Sequence, residues 1–202
     1  MIFTADERDC LIELMNIAYG ATSSAVSDTI NAFSTLHIPE LFLYERNQLL
    51  DYFDKTLSKD TVYIVSSQQF IGKLDGEVLF VLGKESAINL VRHLDDVDVV
   101  SDEELADAVM ELCNIVTSST MKNLTASLDS TIDLMPPNEQ IITRNGIHNI
   151  AGLEKYNNAI LISTVMDFKE QHINGNLMIL CKDEAFTWLK GALNKVINGL
   201  AC

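Results

Sequence analysis

The chain has 202 residues, with 14 Lys and Arg against 29 Asp and Glu, a formal net charge of −15. Hydrophobic residues make up 48% of it and charged ones 21%, the mixture of a globular protein rather than a disordered one, and three prolines with nine glycines leave no Pro- or Gly-rich linker. So acidic a surface repels phosphate backbones and anionic lipid, so neither nucleic acid nor membrane surface is an expected partner.

Met1 to Arg8 show no basic flank ahead of an apolar run, and no apolar stretch reaches the roughly 18 residues of a membrane span. Cys10, Cys113, Cys181 and Cys202 form no C-x-x-C pair, so the expectation is reduced thiols in a cytoplasmic protein.

In chain order, Thr4-Ala-Asp-Glu7 reads as a capping box, hydroxyl at the N-cap and glutamate three residues on. The helix it opens runs from Asp6 to about Ile30, with Leu11, Leu14, Met15, Ala18, Ala21 and Ala25 at helical spacing. Strand-like runs follow at Thr61–Val65 and Glu77–Leu82, the latter preceded by a turn glycine, Gly76. A short amphipathic helix covers roughly Lys84 to Leu94. Ser101-Asp-Glu-Glu104 is a second capping box, ahead of a helix from Asp102 to about Leu124 carrying Val109, Leu112, Cys113 and Val116. Arg144-Asn145-Gly146 reads as a hairpin turn. Strands are expected at Ala159–Ile162 and Asn176–Cys181, with Gly175 as the turn residue, and a helix from Asp183 to Ile197 closes the chain. Long helix, strands and short helix, twice over, predict an α/β (α+β) fold, a sheet covered by helices.

The two halves repeat one another in detail. Asp9, Glu13, Asn16 and Pro39 recur as Asp107, Glu111, Asn114 and Pro137, each displaced by 98 residues. Glu13–Ile17 matches Glu111–Ile115, and Lys84–Ala87 matches Lys182–Ala185. The caps are displaced by 97, so one half holds an extra residue between cap and acidic stripe. The chain is read as one domain, 1–202, made of two repeats of about 1–99 and 100–202.

At about 100° per residue, Asp9, Glu13, Asn16 and Gly20 fall within one narrow stripe, with the apolar residues opposite. Asp107, Glu111, Asn114 and Ser118 do the same on the second helix. If the apolar sides dock on the sheet, the stripes face solvent. A polar helix face is ordinarily just solvated. Here Asp9/Glu13 and Asp107/Glu111 place like charges at i, i+4, costing a helix about 0.2–0.5 kcal/mol, and each stripe keeps an asparagine, a mediocre helix former. Repetition of a locally unfavourable choice points to a task, and Gly20 and Ser118 leave room for a partner's backbone.

Other chemistry lacks support. There is no P-loop, no G-x-G-x-x-G and no G-x-S-x-G elbow. His37, His93, His148 and His172 never pair at i, i+4, so no metal site is expected. A cysteine phosphatase needs an arginine soon after its nucleophile, yet six residues past Cys10, Cys113 and Cys181 stand Asn16, Ser119 and Thr187. Cys10 and Cys113 are expected to pack as small hydrophobes.

The pattern D-x3-E-x2-N-x22-P, met twice, resembles the signature of the CheC/CheX/FliY family of chemotaxis phosphatases. Two intact copies are most similar to CheC-like members; FliY-like members append a flagellar-switch domain, and none is expected here after Cys202. It departs from them in the short Ile17-Ala18-Tyr19-Gly20 stretch after the first asparagine and in Ser118, where the second copy would carry glycine. The resemblance implies a CheC-like fold, two long helices on an antiparallel β-sheet with pseudo-two-fold symmetry. It implies a phosphatase acting on the aspartyl phosphate of a CheY-type response regulator. Glu13 and Glu111 would pair with the receiver's lysine, while Asn16 and Asn114 orient the in-line water. Asp9 and Asp107 would tune docking, together with Gly20 and Ser118 in contact with the substrate. Pro39 and Pro137 would be structural stops. The chain would bind no cofactor; Mg²⁺ belongs to the receiver. An alternative keeps the surface without turnover, as a binding module for a phosphorylated receiver or a CheD-type deamidase. A third reading, a structural repeat protein, buries both stripes at an oligomer interface.

Overall fold

Thr4 and Ser101 each open a helix by accepting from the backbone N–H three residues on, of Glu7 and Glu104, whose carboxylates reach back to the cap N–H. The computed structural model describes residues 2–95, 97–149 and 153–200. In chain order these form α1 (Ala5–Ile30), β1 (Thr35–Leu36), β2 (Glu40–Glu45), α2 (Arg46–Thr56), β3 (Val62–Gly72), β4 (Gly76–Gly83), α3 (Lys84–Asp95), α4 (Asp102–Ser127), β5 (Ile132–Leu134), β6 (Asn138–Thr143), two 3₁₀ segments (Arg144–Asn149 and Leu153–Lys155), β7 (Asn158–Phe168), β8 (Ile173–Lys182) and α5 (Ala185–Leu200).

The strands build one antiparallel sheet in the order β1-β7-β8-β4-β3-β5, with β2 also on β7 and β6 also on β3. The halves therefore exchange their edges. The outer edge of β7 is closed by β1 and β2 from the first half, and that of β3 by β5 and β6 from the second. The registers correspond: Thr35 faces Asp167 where Asp133 faces Ile71, and Glu40 faces Ser163 where Asn138 faces Ser67. At the centre Gly76 pairs with Cys181 and Leu82 with Gly175, so the pseudo-two-fold runs beside Leu79 and Met178. Each half thus covers the unpaired backbone groups that the other would leave exposed.

Strand alternation sorts the interior into two layers. Ile64, Val78, Phe80, Leu82, Ile160, Ile162, Leu177 and Ile179 face α1 and α4, with α3 and α5 completing that layer. Tyr63, Val65, Leu79, Val81, Leu161, Met178 and Leu180 face the other way, under Leu49 and Phe53 of α2 and Ile147 and Leu153 of the 3₁₀ segments. Burying Leu49 and Phe53 contributes about 2 kcal/mol each.

Three expectations change. Gly76 and Gly175 lie within β4 and β8 rather than in turns. A Cβ at Gly76 would run into the Leu180 carbonyl and sit 2.7 Å from the Phe70 ring, and one at Gly175 would come within 2.7 Å of Leu82, so both are glycine because the sheet and its packing close over them. Arg144-Asn145-Gly146 starts a 3₁₀ segment, not a hairpin, because β6 pairs with the distant β3 and the chain must travel under the sheet to reach β7. Ala21 is exposed and Ala25 half-buried; Tyr19, Thr22 and Val26 take the core positions, since α1 turns its buried side towards α4 as it runs.

Candidate functional site

Both stripes lie on the solvent-exposed sides of their helices, although Asn114 also reaches β3. Asp9, Glu13 and Gly20 on α1 are exposed and Asn16 is half-buried, while Asp107, Glu111 and Asn114 on α4 are exposed and Ser118 is half-buried. Leu11, Leu14, Met15 and Ala18, and likewise Val109, Leu112, Cys113 and Val116, are buried beneath them. Glutamate and asparagine three residues apart thus share one outward face on each helix. Among the described residues neither Glu13 nor Glu111 forms a salt bridge, so both carboxylates are open to a cationic partner. A Cβ on Gly20 would meet nothing within 4 Å, and the Ser118 hydroxyl donates to the Ile115 carbonyl.

The segment before each motif proline is pinned to the sheet. His37 N–H donates to the Val165 carbonyl, and Met135 N–H to that of Gln69. The Thr164 hydroxyl donates to the His37 carbonyl at 2.6 Å, and Gln68 Nε2 to that of Met135 at 2.9 Å. Pro39 and Pro137 follow two residues later, immediately ahead of β2 and β6, where a residue without N–H fits the start of a strand.

Asn16 borders a groove of about 550 Å³ walled by Gly20, Ser23, Ser27, Ser34 and Phe33, the last 78% exposed. A larger depression, about 890 Å³, lies by Trp188 and the β3–β5 edge, off both stripes. Burial raises the Cys113 thiol pKa and pushes that of Cys181 up to about 12, so both stay protonated and unreactive. Cys10 packs half-buried against the core, and Cys202 lies outside the described residues. Among the described residues no cluster of His, Cys, Asp and Glu could hold a metal, and no helix is long and apolar enough to cross a membrane.

One residue that sequence reasoning missed enters the site. Gln68, buried on β3, donates from Nε2 to Asn114 Oδ1 at 3.0 Å. Its only signal is positional, since Gln68 and Thr164 occupy corresponding places in β3 and β7.

Residues 64–152 match the family model described as chemotaxis phosphatase CheX. That segment contains Gln68, Glu111 and Asn114. The fold of the chain is that of CheC/CheX/FliY structures. No curated protein matches the sequence. Among solved structures, FliY of Thermotoga maritima is similar at 18% identity, with 97% of this chain and all of that one covered and a TM-score of 0.77. The CheX of a Borrelia burgdorferi CheX–CheY–BeF3–Mg²⁺ complex is similar at 15% identity over 85% of this chain and 99% of that one, with a TM-score of 0.54. The FliM middle domain of H. pylori shares the fold at 15% identity, 94% and 99% coverage and a TM-score of 0.55.

Proposed function

We propose that the chain is a member of the CheC/CheX/FliY family and a cytoplasmic phosphatase for the aspartyl phosphate of a CheY-type response regulator, carrying two sites of one design on two copies of one unit, in the manner of CheC. The observation that carries the reading is the pair of exposed Glu–Asn stripes at corresponding places on α1 and α4. The family's phosphatase description and the CheX–CheY complex among its structural relatives support it.

An acyl phosphate is already reactive, and the receiver brings its own Mg²⁺ and lysine to hold charge on the phosphoryl oxygens. What the phosphatase must add is a water held in line with the breaking P–O bond. Asn16 or Asn114 accepts a hydrogen bond from that water and is too weak a base to take its proton. Glu13 or Glu111, one turn away, pairs with the receiver's lysine, an ion pair that strengthens as docking expels water. Asp9 and Asp107 set orientation at the rim, while Gly20 and Ser118 let the partner's backbone approach.

The test is phosphate release from a phosphorylated receiver by the wild type and by an Asn16→Ala/Asn114→Ala chain. A loss of about 100-fold in the double variant is expected. Equal rates would sink the mechanism. Tight binding without turnover by the wild type would instead make the chain a binding module for a phosphorylated receiver. Binding of a CheD-type deamidase alone would point to that partner.

A further inference from the structure

We infer that Gln68 is a positioning residue for Asn114 and that the two sites are consequently unequal, the second pre-oriented and the first adaptable; the inference rests on the function proposed above. Gln68 is 2% exposed, and its Nε2 donates both hydrogens, one to the Met135 carbonyl and one to Asn114 Oδ1. Those acceptors fix which end of the Gln68 amide is nitrogen, and so which end of Asn114 is oxygen. Gln68 Oε1 is left buried without a partner, a cost accepted so that the nitrogen can bridge helix and sheet. Asn114 keeps the second lone pair of Oδ1 for a water while its amide plane is held.

The first site has no such tether. Thr164 stands where Gln68 stands in the other half, and its hydroxyl pins His37 as Gln68 pins Met135. Among the described residues the Asn16 side chain makes no hydrogen bond. The helices explain the difference. On α4, Cys113 and Thr117 are small and let the helix settle on β3, Cys113 Sγ lying 3.8 Å from the Ser66 carbonyl. The corresponding residues of α1, Met15 and Tyr19, are bulky and fully packed, and α1 meets the sheet through the short strands β1 and β2.

Gln68→Thr separates tether from pin, because threonine at the corresponding place holds its loop well. The substitution is made in an Asn16→Ala chain, where only the second site works, and in an Asn114→Ala chain, where only the first does. Single-turnover and steady-state phosphate release from a phosphorylated receiver are measured in each. In the first background kcat should fall about tenfold with KM unchanged, the signature of a misaimed group rather than weakened docking. An unchanged or raised kcat there, or an equal loss in the second background, overturns the inference. Relaxation of the Asn114 side-chain amide by ¹⁵N NMR reads the tether without turnover. It should be rigid in the wild type and mobile after Gln68→Thr; equal mobility in both overturns the inference. If the wild type releases no phosphate, the proposed function fails, and this second measurement still decides what Gln68 does.

Discussion

Thr22 and Thr120, 98 positions apart, meet hydroxyl to hydroxyl at 2.9 Å where α1 and α4 cross. Thr22 donates to the Ala18 carbonyl, so it accepts from Thr120. Both are buried, and the pair sits one to two turns beyond the asparagines, locking the relative rotation of the two helices and hence the direction of both stripes. Replacing Thr22 alone by valine strands the Thr120 hydroxyl and should cost about 1–2 kcal/mol, whereas Thr22→Val/Thr120→Val should cost less than the sum of the single changes. Urea denaturation of the four chains checks the cycle.

The start of α1 is clasped to α5 by Glu7, buried against Asn194 and Lys190. Burial raises its pKa, but hydrogen bonds from the Thr4 N–H, Asn194 and Lys190 outweigh burial and hold it below the usual glutamate value. A depressed folded pKa contributes stability that is present above the unfolded value, about 4.3, and lost as pH falls through the folded one. Glu7→Gln should therefore cost about 2 kcal/mol at pH 7 and flatten the acid limb of a plot of Tm against pH between roughly 5 and 3.

At the centre of the sheet, Gly76→Ala drives a methyl into the Leu180 carbonyl and the Phe70 ring. Backbone cannot yield there without parting β4 from β8, so a loss above about 3 kcal/mol is expected, or failure to fold. Gly175→Ala meets the flexible end of Leu82 instead and should cost less, about 1–2 kcal/mol. Thermal melting of both variants ranks them.

Gly20 offers a test of partner contact that spares the fold. With open space around it, Gly20→Ala should raise stability by about 0.5–1 kcal/mol. Gly20→Leu should fold as well yet weaken receiver binding at the first site, read by titration in an Asn114→Ala chain. Unchanged affinity would remove Gly20 from the contact surface.

Docking through carboxylates should be salt-sensitive. Glu13→Gln/Glu111→Gln should raise KM for the phosphorylated receiver about tenfold and reduce its dependence on ionic strength, measured from 50 to 300 mM NaCl. A KM that keeps the wild-type salt dependence would place the lysine partner elsewhere.

The long helices are legible in the sequence because their signals are local: a hydroxyl cap, a glutamate three residues on and a 3.6-residue apolar rhythm. The outward direction of Glu13, Asn16, Glu111 and Asn114 follows from the same rhythm. The strand signal in the sequence stops where polar residues enter; Ser66, Ser67 and Gln68 continue β3 because the sheet buries and pairs them, not because they favour extended structure. The helix α2 and the edge strands β1, β2, β5 and β6 carry no comparable local signal. β1 and β5 are only two and three residues long, β6 carries no buried side chain, and α2 carries only two fully buried ones, Leu49 and Phe53.

Spacing along the chain by itself determined which side chains share a helix face, since that depends only on the helical repeat. Only the tertiary structure decided that each half would close the other's sheet, that Gly76 and Gly175 would be hemmed in by facing strands, and that Gln68 would reach Asn114 while Thr164 falls short of Asn16. Those outcomes depend on how closely two elements distant in sequence approach, and that distance is set by the volumes packed between them: Cys113 and Thr117 on one side, Met15 and Tyr19 on the other.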